Sequence, residues 1–307
     1  MEPRFHIPGT EQFGWSMVNR YLHSFYIYMN TVKRICDLYQ YASVYDLKGY
    51  VAHFCYIRLK SFDTFIKVVV KNKDYVTANS ILRMLGDCVA VFHLVYMEPN
   101  ADYRLLRHCL YVIDGCERNL EVLPKYIIRE DQLLEDELKE ANRIIDYNVG
   151  HRKRLMSEAQ EMLSKSPLKQ KDEVAFNRII KDRNWKFKEF KDYKKIRMNQ
   201  YQWRDLYDQI DYCDDYDILS YLSQFAHGLS MSNLIIEMDE RNYDDVVGIA
   251  LGLLDRMNTY VLEYFNTENL YIFQGLLQPE MRDKILACYD KKHRPTVAEW
   301  ESKFSLF

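Results

Sequence analysis

Two segments of this chain carry polar side chains where the apolar pattern of a helix has no room for them. In the first, Asn79 to His93 (NSILRMLGDCVAVFH), Arg83 and Asp87 lie four apart and so share a face. That face belongs to the apolar stripe. A buried charge is expensive unless paired, and a guanidinium with five donors can bind Asp87 and still reach other acceptors. In the second, residues 216–230 (YDILSYLSQFAHGLS), Ser220, Ser223 and His227 follow at intervals of three and four and share a face. Leu219, Leu222, Phe225 and Ala226 lie largely elsewhere. Imidazole titrates near neutrality, so a histidine beside a serine hydroxyl can form a relay or act as a general acid or base. Gly228 leaves space beside the ring. The plainer reading of the same residues is a hydrogen-bond knot that ties the two helices together.

A third pattern is electrostatic. Residues 178–197 carry nine cations (Arg178, Lys181, Arg183, Lys186, Lys188, Lys191, Lys194, Lys195 and Arg197) against three acids, Asp182, Glu189 and Asp192. Trp185, Phe187, Phe190 and Tyr193 are interleaved with them. Cations neutralise phosphates and aromatic faces stack on unpaired bases, so this is a candidate nucleic-acid-binding segment. The alternative is a solvated helix whose aromatics pack on a partner, neutralised by the acid-rich runs 130–140 and 205–217 on either side.

Other chemistries leave no trace. There is no phosphate-binding glycine loop, no dinucleotide fingerprint, no paired-histidine zinc motif and no serine elbow. Gly248 and Gly252 read as close helix packing. His108 and Cys109 are adjacent and Cys88 and His93 five apart, spacings that point their side chains to different faces of a helix. We therefore expect no metal and no cofactor. The seven cysteines form no CxxC pair, as reduced, buried thiols would not. The start lacks a basic region followed by an apolar core. The longest apolar stretch, Ser80–Met97, is interrupted by Arg83 and Asp87, and residues 246–254 are too short to span a bilayer. A cytoplasmic location without membrane contact is the expectation.

The elements that must position these groups read as helices. The chain has 307 residues and 37.0 kDa, with 48% apolar and 28% charged residues and a net charge of -3, so a large core needs no covalent staple. Only ten glycines and seven prolines exclude a fold built from many tight turns. Apolar periodicity predicts helices over about 12–40, 44–70, 75–97, 101–120, 127–164, 171–203, 211–237 and 243–265. Asn72-Lys73-Asp74 breaks the second from the third. Asn242 is a candidate cap, and Thr296 with Glu299 a capping box for a last short helix. The expected fold is all-α: a helical bundle with a protruding long helical hairpin of coiled-coil character. Residues 1–126 and 205–307 would form the bundle and 127–204 the inserted hairpin.

The sequences ANSILRMLGDCVAVFHLVY, YRLLRHCLY and YDILSYLSQFAHGLS together resemble a bacterial family of all-helical proteins with an Arg-bearing apolar helix and a Tyr-x-x-Leu-Ser-x-x-x-His helix. Arg83, Tyr221, Ser223 and His227 are the matching positions. That family is distantly similar to the HEPN superfamily, many of whose members are metal-independent ribonucleases in toxin and phage-defence systems. The resemblance covers 75–232 apart from the hairpin. It departs from the nuclease pattern because no arginine stands four to six residues before His227. It implies an RNA-binding or RNA-cleaving protein. His227 would be the base, Arg83, backed by Asp87, the phosphoryl-stabilising cation, and Ser223 or Tyr221 the positioning group. The alternative is a non-catalytic protein whose 127–204 hairpin meets a partner helix or a second copy, with Arg83, Ser223 and His227 as a core knot.

Overall fold

The computed structural model describes residues 16–40, 43–122, 134–210, 218–227 and 240–303. Among them form thirteen α-helices and no strand, an all-α architecture. The chain divides into two compact units: Met1–Tyr41, Val51–His93 and Trp203–Phe307 on one side of the division, Ala42–Tyr50 and Leu94–Gln202 on the other. Residues 94–122, grouped by their pattern with the N-terminal bundle, belong to the second unit.

The first unit is organised around Met17–Leu38 (α1), which starts where Ser16 Oγ accepts from the Asn19 amide at 3.2 Å. This helix packs against Glu240–Tyr264 (α10), Asn269–Leu276 (α11) and Pro279–Ala287 (α12). Its buried tyrosines resolve their own polarity on Leu47–Lys67 (α2). Tyr21 donates to the Phe62 carbonyl at 2.8 Å and Tyr28 to that of Cys55 at 3.2 Å. Such bonds let a large aromatic enter a core without orphaning its hydroxyl. Asn30 does the same for the Ile272 carbonyl at 2.9 Å. A further core of Ile27, Leu276, Ile285 and Leu286 closes on Trp300 of Val297–Ser302 (α13). The expected Thr296–Glu299 box caps that helix from both directions. The break after α2 is where it was expected. A π-turn over Val68–Asn72 ends with Lys73 left-handed at φ 51, and Asp74 then caps Tyr75–Tyr96 (α3) by accepting from Thr77. Asn242, expected as a cap, falls inside α10.

In the second unit Ala101–Val122 (α4) packs against Glu135–Ser164 (α5). Leu168–Lys171 (α6) and Glu173–Lys181 (α7) follow. The second long arm expected over 171–203 does not form. Asp172, extended at φ -158, restarts the chain as the cap of α7, and Arg183, left-handed at φ 49, stops it. Beyond it residues 184–202 are an irregular, stapled loop with one antiparallel bridge, Phe187 to Gln200. Trp185 and Phe187, which a helix would turn to opposite sides, are both buried here because tight turns, with the Trp185 amide on the Arg183 carbonyl and the Phe187 amide on the Asn184 carbonyl, replace the helix.

His108 on α4 is fully buried. It bridges Tyr96, whose hydroxyl lies 3.3 Å from Nδ1, and the Val44 carbonyl, 3.3 Å from Nε2. Burial pushes its imidazole down to about 4. The folded value lies below the unfolded one, so the stability that His108 confers is complete above pH 6.5 and is lost as pH falls from there toward 4. His108→Gln, which keeps polar partners but cannot take a proton, should remove this dependence. Between pH 7 and pH 5, urea unfolding of the wild type should lose about 2 kcal/mol more than that of the variant. Equal losses would place His108 in contact with water.

Candidate functional site

Arg83 and Asp87 stand one turn apart on α3, their side chains 14% and 30% exposed, and they form an ion pair. Two further helices complete the site. Trp203–Gln209 (α8) supplies Tyr207, whose hydroxyl lies 3.0 Å from Arg83 Nη1 and 3.1 Å from Asp87 Oδ1. Ile218–Ala226 (α9) supplies Ser223, which accepts from Arg83 Nε at 3.1 Å and donates to the Leu219 carbonyl at 2.6 Å. The guanidinium also lies over the rings of Trp203 and Tyr207, at 5.8 Å and 5.5 Å. Gly86 makes the arrangement possible, because a Cβ there would come within 2.4 Å of the Tyr207 hydroxyl.

Of the five residues expected to act together, the structure joins Arg83, Asp87 and Ser223. Tyr221 turns elsewhere: its hydroxyl pairs with that of Tyr75 at 2.5 Å and its ring packs edge-on against Phe225. Burial and the Tyr75 hydroxyl push its phenol well above the ordinary range. His227 is exposed, in a turn after α9, and its backbone amide donates to the Ser223 carbonyl at 3.1 Å. Among the described residues no hydrogen bond joins its ring to Arg83, Asp87 or Ser223. The remainder of the helix expected over 211–237, including Gly228, lies outside the described residues. Tyr207, Trp203 and Gly86 are the members that sequence reasoning missed. The signal was there as an aromatic pair four apart, Trp203 and Tyr207, at the edge of the acid-rich run 205–217, which reads as a solvated face.

Chemically, this is a neutralised arginine. Asp87 cancels its charge, Ser223 and Tyr207 occupy further N–H groups, and the serine hydroxyl is spent on a backbone carbonyl. Such an arrangement fastens α3, α8 and α9.

The basic segment has a different geometry. Trp185, Phe187 and Tyr193 are buried and Phe190 stacks on Tyr103 at 5.5 Å, so the aromatics form the inside of the loop. Two buried asparagines staple it. Asn184 donates to the Asn199 carbonyl at 2.9 Å, and Asn199 donates to the Glu189 carbonyl at 2.7 Å and accepts from the Glu189 amide at 2.9 Å. The cations lie outside. Arg178 meets Asp192 at 3.4 Å, Lys191 meets Glu189 at 2.6 Å and Arg183 meets Glu117. Lys186 and Lys188 lie over Trp185 and Tyr201. Lys181, Lys194, Lys195 and Arg197 are exposed, and among the described residues no carboxylate pairs with them. Among the described residues, the acids seen to pair with this segment are Glu189 and Asp192 of the loop itself and Glu117 of α4.

No three of His, Cys, Asp and Glu come together as a metal site among the described residues. The six described cysteines are free thiols, and burial pushes those of Cys109 and Cys288 up to about 12. By length and composition α3 is apolar enough to cross a bilayer, but 61% of its most apolar window is buried inside the chain. No family model, curated protein or solved structure matches the chain.

If the Arg83–Asp87 pair is a shared fastening, its two members should fail together. Arg83→Met strands a half-buried carboxylate and should cost about 1–3 kcal/mol in urea unfolding. Asp87→Leu in that background should cost little more, giving a coupling of about 1 kcal/mol or greater in the double-mutant cycle. Additive losses would show a solvated pair of no structural weight.

Proposed function

We propose that this chain binds the sugar–phosphate backbone of RNA through its 178–197 segment, and that the Arg83 cluster holds the first unit together rather than cleaving the bound strand. The observation that carries the reading is the set of four exposed cations without a carboxylate partner, Lys181, Lys194, Lys195 and Arg197, three of them on a loop stapled by Asn184 and Asn199. A loop ordered before binding loses little entropy when it docks. Lysine and arginine displayed without carboxylates release counterions from a phosphate chain. RNA as the polyanion comes from the distant HEPN-like resemblance, as does the idea of a role in phage defence or a toxin-type system.

The buried aromatics shape the specificity. With Trp185, Phe187 and Tyr193 committed to the interior, base stacking on them contributes nothing, and recognition rests on backbone charge. The non-catalytic part rests on Arg83, whose Nε and Nη1 are engaged by Ser223, Tyr207 and Asp87, and on the absence, among the described residues, of a hydrogen bond from the His227 ring to that cluster.

Fluorescence anisotropy with labelled single-stranded RNAs of different sequence tests both parts. Affinity should fall steeply with salt and depend little on sequence. The variant Lys194→Ala/Lys195→Ala/Arg197→Ala should weaken binding and reduce the slope of log K against log salt by about 2, near 0.7 for each lost phosphate contact. Absence of binding at low salt, an unchanged slope or a preference for duplex DNA would overturn the RNA assignment. RNA cleavage in chelator that His227→Ala abolishes would overturn the non-catalytic assignment and restore His227 as the base.

A further inference from the structure

The described fold buries the apolar side chains of helix α5 chiefly in its last third. Leu155, Ala159 and Leu163 are buried on the side that meets α4. Nearer its N-terminus Ile144 and Tyr147 are 49% and 72% exposed. These two are the middle of a longer stripe. Glu137, Glu140, Ile144, Tyr147, His151 and Arg154 follow one another at intervals of three and four, the heptad spacing of a coiled-coil seam.

The stripe is graded in charge, with acids at its N-terminal end, the apolar pair in the middle, and histidine and arginine at its C-terminal end. Turned end for end about the point midway between Ile144 and Tyr147, the two apolar residues meet each other, the outer acid meets the outer cation, and the inner acid meets a ring that can donate a hydrogen bond. Ile144 meets Tyr147, Glu140 meets His151 and Glu137 meets Arg154. A two-fold interface requires this of a single surface, because each residue must suit the partner that its own position generates. A parallel pairing would set Glu137 against Glu137 and Arg154 against Arg154, so the stripe also selects direction.

The local contacts of these residues leave them addressable. Glu140 is paired with Arg143 on the surface, and Arg154 lies 3.9 Å from Glu158 and 3.2 Å from His151 Nδ1, exposed pairings worth little in water, while Glu137 accepts from the Leu134 amide. Tyr147 lies flat against His151, with ring centroids 6.3 Å apart and planes within 6°, so the two present one continuous face.

We propose that α5 is the docking surface for a second copy of this chain, the two helices pairing antiparallel across a two-fold axis between Ile144 and Tyr147. The proposal is independent of the RNA reading. It is tested by sedimentation equilibrium of the full chain in the absence of nucleic acid. A monomer–dimer equilibrium is expected, weakened about tenfold or more by Tyr147→Glu and by Arg154→Glu. The doubly reversed variant Glu137→Arg/Arg154→Glu rebuilds the complementary pair and should recover most of the lost association. All three positions are exposed, but Glu137 also accepts from the Leu134 amide at the start of α5, so circular dichroism of each variant checks that helicity is retained. A strict monomer at every concentration, a dimer indifferent to Arg154→Glu, or a double variant no better than Arg154→Glu alone would each overturn the proposal.

Discussion

An arginine on the apolar stripe of a core helix sets a condition that the rest of the first unit has to meet. Arg83 cannot be dehydrated alone, because an unpaired ion in a dry interior costs far more than the hydrophobic gain of its neighbours. The sequence supplies Asp87 one turn along, which settles the charge but not the remaining donors. Ser223 and Tyr207, side chains more than a hundred residues away, take Nε and share Nη1, so α3 reaches its packed state together with α8 and α9. Gly86 is part of the same condition, since any side chain there would displace the Tyr207 hydroxyl from both partners. Polar satisfaction of this kind fixes which helices meet and in what register, a specificity that apolar packing alone supplies less sharply.

The second unit meets the opposite demand, the disposal of many cations beside many aromatics. It does so by segregation: the rings turn inward and the amines outward, with Asn184 and Asn199 binding the backbone groups that an irregular loop would otherwise leave unmet. Arg107 shows how far this goes. It lies over the Phe187 ring at 4.1 Å and donates to the Trp185 carbonyl at 3.2 Å, so even a buried guanidinium serves the loop's interior.

What the sequence made legible follows from these two demands. Helix periodicity located α1 to α5 and α10, the polar break at Asn72–Asp74 and the Thr296 box, because those signals are local. The Arg83–Asp87 pair was visible for the same reason. Tyr207 was not, because its role depends on a long-range approach that only Gly86 permits. The 184–202 loop was misread as helix because its charge density and aromatic spacing mimic an amphipathic face. The features that overrule this are a left-handed Arg183 and two buried asparagines, and neither has a periodic signature. His227 shows the limit of face arguments. It shares a helical face with Ser223 by count, yet the helix ends at Ala226, so the expected face stops one residue short of it.

The surface of α5 raises a question that the interior does not. A helix of thirty residues buries apolar side chains chiefly in its last third and displays Ile144 and Tyr147 before that. Pairing with a second copy removes that surface from water and opposes the acidic end of one helix to the basic end of the other. It would also place two 178–197 loops in one particle. A polyanion long enough to touch both then binds the second loop at the effective concentration set by the first, and affinity rises without a new contact in either loop. The two proposals stand on separate residues, but their physical consequences reinforce each other. On the proposed readings, a weak, sequence-indifferent phosphate surface would become selective for length when presented twice.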